Sequence, residues 1–176
     1  MTSSEQPAVV YVSLGSNIEP EQHLRQAVQL LRRHCNLLAL SAVYRTAPQG
    51  YTQQADFLNM AVKLETTLSP SEFKQQVISQ IEQQLGRMRD PQNRNAPRTI
   101  DLDISLWNNE VLDYGEKPWH IPDPDITRFA HVIVPLAEIA PDYIHPETGQ
   151  TLAEIARQLD TSAIERQPLD IASGRG

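Results

Sequence analysis

Two spacings of apolar residues run along this chain, and their order predicts a mixed fold. From Ala8 to Leu14 (Ala-Val-Val-Tyr-Val-Ser-Leu) β-branched and aromatic residues run on and stop at Gly15-Ser16-Asn17, which predicts a strand ending in a turn. Pro20 suits a first helical turn, and Leu24, Ala27, Val28 and Leu31 then recur at helical spacing to about His34. That stripe predicts a surface helix with one buried face. Asn36 to Tyr44 and Phe57 to Glu65 predict two more strands, joined by Thr-Ala-Pro-Gln-Gly and a polar stretch long enough to be functional.

Ser69-Pro70-Ser71-Glu72 joins a cap, a first-turn proline and a glutamate three residues past the cap, which together satisfy the open amides of a helix start. Phe73, Val77, Ile81 and Leu85 repeat every four residues behind it, and Gly86 supplies a stop. From Thr99 to Trp107 the chain alternates, with Ile100, Leu102, Ile104 and Leu106 on one face and Asp101, Asp103, Ser105 and Trp107 on the other. The order βαββαβ predicts an α+β, ferredoxin-like core: two helices on one face of a mainly antiparallel sheet, the other face open. After Asp113 the signals weaken to an apolar run at Val132 to Ile139, a short helix over Leu152 to Leu159 as an extra C-terminal element, and a loose polar tail after about Arg166.

A chain of 176 residues with 40% hydrophobic content predicts one domain, residues 1–176 with a core over about 8–159, and leaves no room for two. Its net charge of −7 argues against a broad basic nucleic-acid surface, so an anion site has to come from a local arginine cluster. The single cysteine, Cys35, has no internal partner and reads as a packed or idle thiol. No run of about 18 apolar residues occurs and Met1 to Pro7 are polar, so neither signal peptide nor membrane span is expected; the cytoplasm is the default compartment.

Asp101-Leu102-Asp103 carries the chemistry. Residues two apart on a strand share a face, so the two carboxylates stand side by side, roughly 7 Å apart at the backbone. Like charges at that spacing repel, and a hard divalent cation with oxygen ligands relieves the repulsion. A solvated polar sheet face is the plain alternative and needs no ligand. The segment just upstream tips the balance toward the cation: Gly86 to Arg98 holds Arg87, Arg89, Arg94 and Arg98 against Asp90 alone, a net +3 in a chain of −7. Its Gly, Pro and Asn content is that of an irregular loop able to fold onto an anion, and arginine forks match phosphate oxygens. Paired carboxylates beside an arginine loop are the parts of phosphoryl-type transfer, without the glycine-rich lysine loop of P-loop kinases.

Arg94-Asn95-Ala96-Pro97-Arg98-Thr99-Ile100-Asp101-Leu102-Asp103-Ile104 resembles the signature of 6-hydroxymethyl-7,8-dihydropterin pyrophosphokinase. Further blocks follow in family order: Leu14-Gly15-Ser16-Asn17, Tyr44-Arg45-Thr46, Phe57-Leu58-Asn59, Gly86-Arg87 and Pro135 to Pro141. The resemblance implies a ferredoxin-like fold and transfer of the β,γ-pyrophosphoryl group of ATP to the pterin hydroxymethyl oxygen, releasing AMP in folate biosynthesis. It implies two Mg²⁺ ions on Asp101 and Asp103, and catalytic roles for those two and for Arg87 and Arg98. Nucleotide contacts are implied at Glu82, Arg87, Arg89, Arg98 and Ile104; for Glu82 a solvated helix face is the plain alternative. The pterin falls to Phe57 as a stacking wall, Asn59 on its edge, and the stretch Thr46, Ala47, Pro48 and Gln49, with Asn17 a further candidate at the turn.

The chain also departs from the family pattern. Where the family carries Pro-His against the nucleotide, this chain has Pro122-Asp123, with His120 nearby. The second stacking position falls on His131, with Phe129 as the alternative, and Asn95 stands where a loop tryptophan is common. A free-standing monomer is expected, with no nucleic-acid or membrane partner. Two other readings remain open: another Mg²⁺-dependent phosphoryl or nucleotidyl transferase, which would lack the pterin-facing residues, and a non-catalytic ligand-binding module of the same fold.

Overall fold

The structure, a computed structural model, describes residues 6–47, 55–87 and 99–171. In chain order these form β1 (Ala8–Ser16), α1 (Pro20–His34), β2 (Asn36–Leu40), β3 (Val43–Thr46), β4 (Phe57–Thr66) and α2 (Pro70–Phe73). A π-helical turn over Lys74–Ile78 leads into α3 (Ser79–Gln84), followed by β5 (Asp101–Trp107) and the short hairpin of β6 (Leu112–Tyr114) and β7 (Trp119–Ile121). A 3-10 turn at Pro124–Thr127, α4 (Ala130–Ile139), α5 (Leu152–Gln158) and β8 (Glu165–Gln167) complete the order. The main sheet runs β5-β1-β4-β3-β8, with β2 also on β4, and each of these pairings is antiparallel.

Both faces of this sheet are covered. On one, Val10, Val12 and Leu14 of β1 bury against Leu24, Val28 and Leu31 of α1 and against Phe73, Ile78 and Ile81. On the other, Tyr11, Ala61 and Leu106 meet Ile133 and Leu136 of α4 and Leu152 and Ile155 of α5. Burying each such aliphatic side chain contributes about 1.5–3 kcal/mol. The expectation of an open second face is therefore corrected: the apolar run at residues 132–139 and the capping box of Thr151 and Glu154 make the helices that close most of it.

Three local departures from the sequence pattern have physical causes. The strand expected over 36–44 breaks at Ser41, whose hydroxyl accepts the Ala61 amide at 2.8 Å and so takes the place of a ladder carbonyl. The alternation of β5 fails at its end: Tyr11 faces Leu106 while Val12 faces Ile104, so Ser105 is an extra residue in the ladder. Leu106 and Trp107 consequently exchange faces, Leu106 joining α4 and Trp107 packing edge-on against Phe73 at 6.0 Å. The tail expected to be loose instead adds β8 to β3 and buries Ile171 to 4% exposure.

The helix after Ser69 begins with the capping box read from the sequence. A repeat of four outruns a 3.6-residue turn, and the wider π turn absorbs the excess. Val77, Ile78, Ile81 and, with them, Glu82 then face inward. Cys35, the residue after α1, is half-buried and its thiol is pushed up to about 11 by burial, which suits packing and not reactivity.

Glu138 fastens α4 to the strand break. Both its oxygens accept the Ala42 amide at 3.0 Å and one accepts the Tyr44 hydroxyl at 2.6 Å. Burial and then this carboxylate push the Tyr44 phenol up to about 12. Glu138→Ala is expected to lower stability by about 1–2 kcal/mol. The Tyr44 ionisation should move downward in the same variant, read by ultraviolet titration; an unchanged titration would count against the strap.

Candidate active site

Gly15, near the end of the inner strand β1, lies opposite Asn59 of β4 on one side and Asp101 of β5 on the other. Three strands thus bring a polar amide and a carboxylate to either flank of one residue without a side chain. A Cβ at Gly15 would sit 2.9 Å from Asn59 Oδ1, so only glycine leaves that amide its place.

Around Gly15 is a cavity of about 190 Å³, bounded on one side by His131 and Val132 at the start of α4. Thr46, Ala47, Phe57 and Asn59 line one end, with Asn59 Nδ2 donating to Thr46 Oγ1 at 2.8 Å. Asp101, Asp103, Asp123 and Asp125 line the other, and Phe129 and His131 form a wall with ring centroids 5.3 Å apart and planes 28° from parallel. Burial lowers the His131 pKa, which favours the neutral imidazole, a ring suited to stacking. His131 and Phe129, the two sequence alternatives, both line the cavity.

The carboxylate end gathers negative charge. Burial, then the neighbouring charges of Asp101 and Asp123, hold the Asp103 carboxyl well above the usual carboxylate range, with Lys74 opposing. Asp123 is raised to about 6, chiefly by burial, although its carboxylate caps the 3-10 turn by accepting the Asp125 amide at 2.9 Å. Asp101 is held by Arg87, whose Nη1 lies 2.8 Å from Asp101 Oδ1 and 2.6 Å from Glu82 Oε2. Two carboxylate oxygens on adjacent same-face positions suit a hard cation that keeps water and phosphate as its other ligands. Among the described residues no group of three or more His, Cys, Asp or Glu gathers as a metal cage; Asp101 and Asp103 are the pair that could contribute oxygens to a cation.

Most sequence candidates converge here, and some do not. Phe57 lines the cavity, and Glu82 is buried at 4% exposure behind Asp101, not solvated on the helix face. Asn17 is buried too, but its Nδ2 donates to the Ala55 carbonyl at 3.2 Å and it does not line the cavity. Ile104 does not line the cavity; its side chain is 4% exposed and packs in the core. Pro48, Gln49, Arg89 and Arg98 lie outside the described residues. His120 bonds Asp113 and Glu147 and does not line the cavity, whereas Asp123 does. Ser13 was not singled out from sequence; its hydroxyl shares a 2.6 Å hydrogen bond with Ser105 on the cavity floor, and its only sequence signal is a polar residue inside an apolar strand.

The raised Asp123 pKa makes stability depend on pH. A carboxyl with a folded pKa above its unfolded value stabilises fully below the unfolded value, near 4, and loses that contribution as pH rises through about 6. Asp123→Asn keeps the capping oxygen and removes the charge. It is expected to stabilise the protein by about 2 kcal/mol at pH 8 and to change little at pH 4. Thermal melts at the two pH values check this, and equal shifts at both would refute it.

Residues 11–141 match the family model for 7,8-dihydro-6-hydroxymethylpterin-pyrophosphokinase. The 2-amino-4-hydroxy-6-hydroxymethyldihydropteridine pyrophosphokinase of Bacillus subtilis is 44% identical over 134 residues, 74% of this chain and 77% of the relative. Its counterpart from Pseudomonas aeruginosa is 36% identical over 162 residues, 90% and 96% of the two chains. The crystal structure of wild-type Plasmodium falciparum HPPK-DHPS superposes with a TM-score of 0.69 at 13% identity, which speaks for the fold alone. That match takes in 89% of this chain and 46% of the Plasmodium chain, so this protein spans about half the length of that structural relative. The chain belongs to the 7,8-dihydro-6-hydroxymethylpterin-pyrophosphokinase family.

Proposed function

We propose that this chain transfers the β,γ-pyrophosphoryl group of ATP to the hydroxymethyl oxygen of 6-hydroxymethyl-7,8-dihydropterin, giving AMP and the pterin pyrophosphate, as a step of folate biosynthesis. The observation that carries the reading is the single cavity whose two ends meet at Gly15: an amide, a hydroxyl and an aromatic ring for a flat heterocycle at one end, paired carboxylates at the other.

At the pterin end Phe57 and the His131–Phe129 wall take the ring faces, while Asn59, oriented by Thr46, offers its amide to the edge. Ala47, and Pro48 and Gln49 beyond the described residues, extend that edge. Asp101 and Asp103 are the residues to hold Mg²⁺, two ions in this reading, which when bound neutralise phosphate charge and lower the pKa of an acceptor hydroxyl. Arg87 supplies positive charge next to Asp101, and Arg89 and Arg98 are assigned to the phosphates. No residue of the cavity is needed as a separate general base, and positioning carries most of the rate. The strand order, with β2 and β3 taken as one interrupted strand, supports a ferredoxin-like core. A single domain over residues 1–176, acting as a cytoplasmic monomer, completes the proposal; among the described residues no helix is long and apolar enough to cross a membrane.

The test is AMP formation from ATP by purified protein, with and without pterin and with and without Mg²⁺. AMP that requires both supports the reaction and shows Asp123 and His131 to be compatible with it. No AMP from folded, ATP-binding protein overturns the proposal.

A further inference from the structure

Behind the cavity, a buried carboxylate that does not line it is tied to one that does. Glu82 is 4% exposed, and its Oε2 accepts two hydrogen bonds: from Arg87 Nη1 at 2.6 Å and from the Leu102 amide at 3.1 Å. Leu102 is the residue between Asp101 and Asp103, so Glu82 fastens α3 to the strand exactly where the carboxylate pair projects. A buried carboxylate needs hydrogen-bond donors or a cation beside it, and Arg87 supplies one. The same Nη1 reaches Asp101 Oδ1 at 2.8 Å. Arg87 is further anchored by its own amide, which donates to the Glu82 carbonyl at 2.9 Å. Arg87, three residues past the end of α3, is thereby tied back to Glu82 through both its backbone and its side chain.

The two carboxylates that share Arg87 are not equivalent. The Glu82 side chain is 6% exposed and that of Asp101 23% and on the cavity, so only the Asp101 contact is open to exchange with an arriving ligand. Resting on the metal assignment above, we infer that Glu82 is a positioning residue: it keeps the Arg87 guanidinium at Asp101 as a built-in counter-cation and retains it when Asp101 turns to a divalent cation. Arg87 and the cation compete for one carboxylate oxygen. Glu82 confines the displaced guanidinium to the cavity edge, where a phosphate oxygen meets it already placed. This assigns Glu82 an effect on the nucleotide that passes through Arg87.

The experiment uses nucleotide-free protein and Mn²⁺ as the probe, titrated by electron paramagnetic resonance, together with NMR of the Arg87 guanidinium during Mg²⁺ titration. Arg87→Met is expected to bind Mn²⁺ about tenfold more tightly than the wild type, because the competitor is gone; equal or weaker binding overturns the proposal. In the wild type the Arg87 guanidinium signals are expected to shift on Mg²⁺ saturation and still show slow rotation, and in Glu82→Gln to collapse into free rotation. Free rotation in metal-saturated wild type, or unaltered rotation in Glu82→Gln, overturns it as well. The wild-type arm stands even where a variant fails to fold. Asp101→Asn separates the two levels: Mn²⁺ affinity unchanged in that variant overturns the metal assignment itself, whereas affinity lost there with no gain in Arg87→Met overturns only the role of Glu82.

Discussion

Asp103→Asn is expected to lower turnover by about 10³-fold while making the nucleotide-free protein more stable. The loss follows from removing one of the two oxygen donors on which phosphate-charge neutralisation rests, several kcal/mol of transition-state stabilisation, and each 1.4 kcal/mol is a factor of ten. The gain follows from the free site, where burial and the charges of Asp101 and Asp123 hold the Asp103 carboxyl well above the usual range. Asparagine keeps the shape and ends the repulsion, so the melting temperature at pH 8 is expected to rise by about 2–4 °C for about 1 kcal/mol. Opposite signs in activity and stability mark a group strained for function, and a purely structural aspartate would lose both. Steady-state AMP production and a melt of the same sample decide it; near-normal turnover would sink the metal assignment.

The site was legible where one local rule sufficed. Gly15, Asn59, Asp101 and Asp103 sit on three strands whose limits follow from apolar runs, and antiparallel pairing alone then sets them side by side. What sequence spacing did not carry were effects that arise between elements. The exchange of Leu106 and Trp107 comes from an extra ladder residue at Ser105, which a strict alternation hides. Glu82 reads as one more polar helix position; it turns inward because a four-residue repeat is accommodated by a π turn, and because Arg87 and the Leu102 amide await it there. The short β6–β7 hairpin and β8 hold three residues each, too few to show a period, and pairing partners far along the chain define them.

The amide of Asn59 sets the other large effect. Its Nδ2 is committed to Thr46 Oγ1 at 2.8 Å and its Oδ1 rests over Gly15, so its orientation is fixed before any ligand arrives. A site preorganised to hydrogen-bond a heterocycle edge discriminates strongly, because an unmatched buried polar group costs about 1–3 kcal/mol on each side. Asn59→Ala is therefore expected to reduce kcat/KM for the pterin by about 10²-fold, with ATP affinity within about twofold of the wild type. Gly15→Ala gives the same selectivity by a different route: its Cβ, 2.9 Å from Asn59 Oδ1, displaces the amide and leaves Asn59 itself in the chain. Steady-state kinetics with each substrate varied in turn read both variants. Equal losses toward ATP and pterin would mean that Asn59 holds the cavity as a whole, whereas a pterin-selective loss in both variants places the heterocycle edge at this amide.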